Sequence, residues 1–568
     1  MQRDLNRLST RHFDLVVVGG GIYGACVAWD AVLRGLSVAL IEQGDFGHAT
    51  SANSQKIVHG GFRYLQHGDV KRMRESIRER RALMRIAPHL VHPLPVLIPT
   101  YRHGLQRRPL MWLALAAYDL IAHDRNHGVQ DPHHHILRSR LLSRTECLQL
   151  EPGLEASGVT GGAIWYDGQV YNSERLTLAF LRSAAESGAC VANYVRVTGF
   201  LQEDHCVSGV TALDVLSGRT LHVRGRLVVN TSGPWINKLL GYVGGQASSR
   251  RVPFSKTINI VTRPLTQRYA LSVMRTPQPS GASHNGHARR LFITPWRDRA
   301  IVGTAHTRCD GDPDACRATS EEITALVDAL NAAYPAAALR AEEVSLVHVG
   351  LMPLAEAGPE ADPSNLAHRY EIRDHERLGG LAGLISVLGV KYTTARDIAE
   401  KTVNLAMRKL GRPLVVSRSA QVPVWGGRIE RFEEFLVQAL RERPFGLADE
   451  TIWQLVRNYG SDYRAVLKYI HADPGLGRRL GVSSGVIRAE VSHAVREELA
   501  LTLPDVVFRR TELGTAGHPG ADALETCAAL MAQELGWDLA RTARELEDTE
   551  AMFTRCGARA TEVAGAGR

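Results

Sequence analysis

Asp14-Leu15-Val16-Val17-Val18-Gly19-Gly20-Gly21-Ile22-Tyr23-Gly24 is the stretch from which the rest of the chain is read. Four consecutive apolar residues, Leu15 to Val18, mark a strand buried on both faces. The glycines after it have the spacing G-x-G-x-x-G. Ala25 to Leu33 reads as a helix, Gly35 ends it, and Ser37 to Ile41 reads as a second strand closed by Glu42. Gly19 permits the tight turn, Gly21 lets backbone approach a pyrophosphate, and Gly24 lets helix and strand pack closely. The first helical amides, Ile22 among them, face the phosphates with free N–H groups and the positive end of the helix dipole. Glu42 stands where adenosine ribose hydroxyls need an acceptor. A lone glycine motif is weak, but strand, turn, helix, strand and acid at the required distances make a dinucleotide-binding βαβ unit.

The chain has 568 residues, enough for two or three domains. No run of about 18 apolar residues occurs, so no transmembrane helix is expected. Met1 to Arg11 is polar and basic and lacks the apolar stretch of a signal peptide. Eight cysteines are scattered without a C-x-x-C pair, which reads as free thiols in a cytoplasmic protein. A net charge of +9 suits an anionic substrate or an anionic membrane surface without proving either. No zinc-ligand cluster, nucleophile elbow or Walker loop is present, so no metal is expected and hydrolase and ATPase readings have no support. Nucleic acid is not among the expected partners.

After Glu42, the loop 43–64 carries Thr50, Ser51, Ser54, Lys56, His59, Gly60, Gly61, Arg63 and Tyr64. Small residues and hydroxyls suit backbone running beside a ligand. His59 alone reads as a stray surface histidine; the whole string reads as a cofactor-side loop.

The string Thr50-Ser51-Ala52-Asn53-Ser54-Gln55-Lys56-Ile57-Val58-His59-Gly60-Gly61-Phe62-Arg63-Tyr64 resembles the signature of the FAD-dependent glycerol-3-phosphate dehydrogenase family. Asn230-Thr231-Ser232-Gly233-Pro234-Trp235 resembles that family's Asn-Ala-Thr-Gly-Pro-Trp segment. Phe292 to Trp296 and Ile301 to Thr304 resemble its central strands, and Gly389-Val390-Lys391-Tyr392-Thr393-Thr394 its Gly-Gly-Lys-Leu-Thr-Thr turn. The resemblance runs from Asp14 to the 534–538 region.

It implies an α/β fold: a Rossmann-like FAD-binding domain with an inserted antiparallel-sheet substrate cap, plus an all-α C-terminal domain. The expected boundaries are an oxidoreductase region at 1–415, with FAD-binding segments at 12–85, 150–240 and 350–410 and cap segments at 86–149 and 241–349. A linker at 416–424 and helices over 425–555 follow. For the cofactor FAD it implies Gly19, Gly21, Ile22, Gly24, Glu42, Thr50, Ser51, Ser54, Lys56, Gly60, Gly61, Val195, Gly233, Trp235, Gly389, Lys391, Thr393 and Thr394. For catalysis it implies His59 as proton acceptor with Arg63 and Lys391, and for substrate binding Arg63, Tyr64, Arg369 and Lys391. The implied reaction oxidises glycerol 3-phosphate to dihydroxyacetone phosphate and passes electrons to quinone.

The cofactor half matches the family, while the substrate half departs from it. Met352 stands where the family has the arginine of Gly-Val-Arg-Pro-Leu, a residue that holds phosphate. Lys256-Thr257-Ile258-Asn259 replaces Lys-Gly-Ser-His, His306 stands near a usual acid, and Asn172-Ser173 replaces an acidic pair. The alternative is therefore a same-fold flavin enzyme for another alcohol, hydroxy acid or amine, or a flavin protein with a binding role.

Arg72 to Leu90 reads as a helix whose arginines form a solvated face. His103 to Tyr118 has a basic start and a short apolar run. It suits either a core helix or an interfacial anchor, and the family's peripheral membrane members favour the anchor. Val191 to Thr198 reads as a strand, and Ser320 to Ala332 as a helix capped by Ser320. Asp449 to Tyr459, Tyr463 to Ile470, Ile487 to Thr502 and Asp522 to Leu535 are amphipathic helices of the C-terminal domain. Arg509 and Arg510 there read as packing residues, with a homodimer contact as the alternative.

Overall fold

The computed structural model describes residues 1–102, 107–243, 250–274, 290–309, 311–356, 358, 361–481 and 484–555. His103 of the basic start lies outside them.

The strand His12–Val18 sits inside a sheet ordered Glu371–Asp374, Leu384–Leu388, Thr220–Asn230, His12–Val18, Val38–Ile41, Cys190–Ala192. All but the first strand run parallel. Their apolar residues are buried because helices cover the sheet; Ile22–Leu33 packs on Ser173–Glu186 and Ala395–Lys409. The register pairs Val18 with both Ile41 and Asn230, and Asn230 with Ser386. Gly19, Glu42, Thr231 and the turn at Gly389 therefore leave the sheet along one edge. In open α/β sheets this carboxyl edge is where ligands bind.

A second sheet is ordered Leu346–Pro353, Phe254–Thr262, Arg299–Cys309, Arg290–Trp296, Ala270–Met274, Val91–Tyr101, Val159–Val170, Ile57–Val58. It is antiparallel except where Ala270–Met274 meets Val91–Tyr101. Val159–Val170 falls in the expected cofactor segment 150–240, yet it pairs along its length with Val91–Tyr101 of the cap. That ladder assigns it to the cap sheet, as pairing with Phe254–Thr262 does for Leu346–Pro353.

Several local readings need correction. The strand expected over Val191–Thr198 breaks in two, because Tyr194 takes a left-handed φ of 57° between Cys190–Ala192 and Val195–Glu203. The helix Ser320–Ala333 is capped by Thr319, which forms a capping box with Glu322. The helix Val70–Ile86 does not carry a purely solvated charged face: Arg80 and Glu79 are buried, and Glu79 pairs with Arg396 at 2.6 Å.

Phe432–Glu442, Asp449–Tyr459, Arg464–Ala472, Arg488–Glu498, Ala521–Leu535 and Leu539–Arg555 form the helical C-terminal region. It shares its core with the cofactor half: Ile452, Leu455 and Tyr459 belong to one apolar cluster with Leu15, Trp29 and Leu181. Buried ion pairs fasten the two. Arg510 donates through both Nη1 and Nη2 to Asp45, each at 2.7 Å, and Arg175 pairs with Glu498 at 2.6 Å. Burial pushes the Asp45 carboxyl up, but the Arg510 and Arg509 charges outweigh it and hold it well below the usual carboxylate range. Residues 416–424 are pinned as well: Val424 N–H donates to Ile86 O at 3.0 Å.

Candidate active site

The glycine turn is explained partly by protein packing and partly by the room left beside Gly21. Gly19 has a φ of 109°, and a Cβ on it would lie 2.7 Å from Thr231 O. A Cβ on Gly24 would collide with Gly19 O. At Gly21 a Cβ would meet only the Ser51 hydroxyl, at 3.1 Å. Packing thus demands glycine at 19 and 24, whereas at 21 the protein leaves room in which a pyrophosphate could approach the backbone. Glu42 is buried, and its carboxylate accepts from Gly20 N–H at 2.6 Å and Gly44 N–H at 2.9 Å. Ser51 Oγ accepts from Ile22 N–H at 3.0 Å. Val195 N–H donates to Glu42 O at 2.7 Å, and Thr231 Oγ1 ties the second turn, with Gly233 at a φ of 54°, to Val18 O at 2.9 Å. These residues fit an FAD adenosine and pyrophosphate.

Three distant segments meet beyond that cradle. Tyr23 OH donates to Lys391 O at 2.7 Å and accepts from Lys391 N–H at 3.2 Å. Gly389 must lack a side chain because a Cβ there would strike the Tyr23 ring. Thr393 Oγ1 accepts from His59 N–H at 3.1 Å, and Thr394 stands at the N-cap position of the following helix Ala395–Lys409 without a side-chain capping bond. The loop 43–64 is thereby laid against the turn 389–394, bringing His59, Gly60, Gly61, Arg63 and Tyr64 to the same place.

His59 is directed by an acid that lies far along the chain. Val58 pairs with Gly168, so the next residue of each strand places His59 beside Asp167. His59 Nδ1 lies 3.2 Å from Asp167 Oδ2, with the histidine side chain 46% exposed and the aspartate 5%. A carboxylate only accepts, so Nδ1 carries the proton and Nε2 keeps a free lone pair. Burial raises the Asp167 carboxyl, but the hydrogen bond from His59, the Arg80 charge and the Gly60 N–H outweigh it and keep it low. The Phe292 ring approaches His59 edge-on at 6.5 Å.

Around this pair stand cations without acids. Lys391 Nζ sits 3.8 Å from the Tyr64 ring centroid. Burial, and then repulsion from Arg63, bring its pKa down to about 8. Arg290 lies two residues before Phe292, on the same face of the Arg290–Trp296 strand. Burial and the Arg63 charge lower its pKa as well. Arg63, Arg290 and Lys391 have no carboxylate partner among the described residues. Three such charges are built for an anion. Arg369 is exposed and adds its charge near Asp69.

Other expected ligands have protein partners. Lys56 is buried, and its ammonium donates to Glu174 at 2.6 and 2.7 Å, Ser173 Oγ at 3.0 Å and Ala52 O at 3.0 Å. All its donors are occupied, so only its backbone is available to a cofactor. Thr50 Oγ1 exchanges hydrogen bonds with the backbone of Leu351 at 3.1 and 3.2 Å, and Ser54 Oγ accepts from Lys56 N–H at 3.1 Å. The Trp235 indole donates to Asp314 at 3.1 Å and leans on His48. Met352 is half-buried opposite Ser255. Asp167, Arg80 and Arg290 were not read from sequence. The one signal for Asp167 was an acid directly after the apolar run Ala163-Ile164-Trp165-Tyr166, since strands seldom bury a carboxylate without a task.

The parallel sheet with its glycine cradle and the His59–Asp167 pair beside it define an FAD-dependent oxidoreductase. The family model "FAD dependent oxidoreductase" matches residues 14–393, and "C-terminal domain of alpha-glycerophosphate oxidase" matches 417–542. A glycerol-3-phosphate dehydrogenase of Synechocystis sp. is 32% identical, covering 94% of this chain and 95% of the relative. Glycerol-3-phosphate dehydrogenase 2 of Mycobacterium tuberculosis is 32% identical, covering 95% of this chain and 88% of its own. The crystal structure of the Bacillus halodurans glycerol-3-phosphate dehydrogenase complexed with FAD has a TM-score of 0.75 at 25% identity, covering 98% of each chain. The chain belongs to the FAD-dependent glycerol-3-phosphate dehydrogenase family.

Proposed function

We propose that the protein oxidises glycerol 3-phosphate to dihydroxyacetone phosphate and passes the electrons to quinone at a membrane surface. The observation that carries the reading is the placement of Arg63, Arg290 and Lys391, which have no carboxylate partner among the described residues, around a histidine whose Nε2 makes no hydrogen bond among them. A secondary alcohol loses its C2 hydride and its hydroxyl proton together. FAD, when bound, supplies the two-electron hydride acceptor. His59 Nε2 takes the hydroxyl proton, and Asp167 stabilises the imidazolium that results. Arg63, Arg290 and Lys391 hold the phosphate, and Lys391 would also set a positive charge beside FAD when it is bound. The shared name of the relatives supports glycerol 3-phosphate over a different alcohol, hydroxy acid or amine.

The helix Arg108–Ile121 supports the membrane part. Met111, Leu115 and Tyr118 are buried, whereas Trp112 is 61% exposed, Leu113 60% and Leu120 75%. Arg107 and Arg108 stand exposed at its start. An apolar outer face with a basic end suits an anionic lipid interface. Among the described residues no helix is long and apolar enough to cross a membrane. The test is anaerobic mixing of the yellow protein with polyol phosphates, hydroxy acids and amines. Glycerol 3-phosphate should bleach the flavin rapidly; bleaching only by an amine or hydroxy acid would replace this reading.

A further inference from the structure

The same Arg108–Ile121 helix is connected to the proton acceptor. Tyr118 on its inner face accepts from Arg80 Nη1 at 3.1 Å. That Nη1 also donates to Tyr166 O at 2.5 Å and lies 3.5 Å from Asp167 Oδ1, while Asp167 Oδ2 holds His59. Arg80 and Tyr118 are 0% and 1% exposed. The Arg80 Nε and Nη2 have no hydrogen-bond partner among the described residues, so the guanidinium is located by the bonds of Nη1 alone. A side chain at Gly60 would collide with both Arg80 and Tyr118; the pair is pressed against the backbone that carries His59. A small displacement of the helix therefore has a direct, packed route to the reacting group.

We propose that Tyr118 and Arg80 position the Asp167–His59 pair, and that an anionic lipid surface covering the outer face of the Arg108–Ile121 helix acts on His59 through them. This rests on the reading above, which gives His59 its task and the helix its lipid. Lipid that buries Trp112, Leu113 and Leu120 fixes the helix. A fixed helix fixes Tyr118, and Arg80 then holds Asp167 in one place.

The test compares native holoenzyme with Tyr118→Phe, which removes one hydroxyl and keeps the ring. Vesicles of phosphatidylcholine with about one third phosphatidylglycerol are the lipid probe. The variant should keep its flavin absorbance, its dissociation constant for glycerol 3-phosphate and its flotation with vesicles. Its flavin reduction at saturating substrate should be about tenfold slower. Vesicles should accelerate the native enzyme several-fold and leave the variant unchanged. Amide exchange over residues 57–64, which needs no substrate, should slow with vesicles in the native protein only. Native-rate reduction in Tyr118→Phe overturns the positioning role, and equal vesicle effects in both proteins overturn the coupling. A native protein that neither floats nor changes its exchange overturns the lipid part. Absence of bleaching by glycerol 3-phosphate would sink the functional reading instead, leaving the exchange experiment to decide the coupling.

Discussion

The cofactor half and the substrate face treat charge in opposite ways. In the cofactor half the buried charges are closed on one another: Lys56 with Glu174 at 2.6 Å, Asp45 with Arg510 at 2.7 Å, Arg175 with Glu498 at 2.6 Å. On the substrate face Arg63 repels both Arg290 and Lys391, and the three find no acid among the described residues. Closed pairs join segments that are distant in the chain and hold the fold, because removing one partner strands a buried charge. Open cations cost stability and are retained where a ligand completes them. The same residue types thus form closed structural pairs in one half and stand without acids in the other.

The comparison breaks most visibly at Gly21. Gly21→Val should yield folded but colourless protein, since its Cβ meets only the Ser51 hydroxyl in the protein; a variant that keeps full visible flavin absorbance would show the cradle to be misplaced. Asp45→Ala should destabilise by about 3–5 kcal/mol in denaturant titration, with little effect on substrate affinity in protein that remains folded. The Asp45 carboxyl is held low in the folded state, so its stabilisation is present above the unfolded carboxylate pKa of ~3.9 and is lost as pH falls below it. The variant should lack that acid-side loss.

On the substrate face the effects are smaller and act on binding. Met352→Arg adds a donor where the family has one. If the site lacks part of its clamp, the dissociation constant for glycerol 3-phosphate should fall about tenfold, or ~1.4 kcal/mol. No change would mean that Arg290 already fills that role. With the Lys391 pKa at about 8, the ammonium is charged below that pH and loses its proton above it. Affinity for glycerol 3-phosphate should therefore weaken roughly fivefold between pH 8 and pH 9. Lys391→Met should remove that limb of the profile.

What was legible in the sequence was what is local. Strand, glycines, helix and Glu42 are consecutive, so their spacing alone describes the cradle, and the family model places the FAD-dependent region at 14–393. The partners of His59 were not legible. Asp167 is 108 residues away and meets it only because Ile57–Val58 joins the Val159–Val170 strand. Lys56 was expected at the cofactor because the resemblance of its loop implies it, and the partner of its ammonium, Glu174, is 118 residues on. Arg80 hid among the arginines of an amphipathic helix, where composition cannot say which one turns inward. Arg290 carried no motif at all; its value comes from its place two residues before Phe292 on a cap strand.

Whether the open cations recognise phosphate is decided most directly at Arg290, to which no family motif pointed. The measurement is kcat/KM for glycerol 3-phosphate and for glycerol in native enzyme and in Arg290→Gln, with flavin content checked in both. A charge-assisted contact contributes about 1.5–3 kcal/mol. The variant should therefore lose roughly tenfold to a hundredfold with glycerol 3-phosphate and almost nothing with glycerol. Equal losses on both substrates, or none on either, would contradict the assignment of these cations to the phosphate.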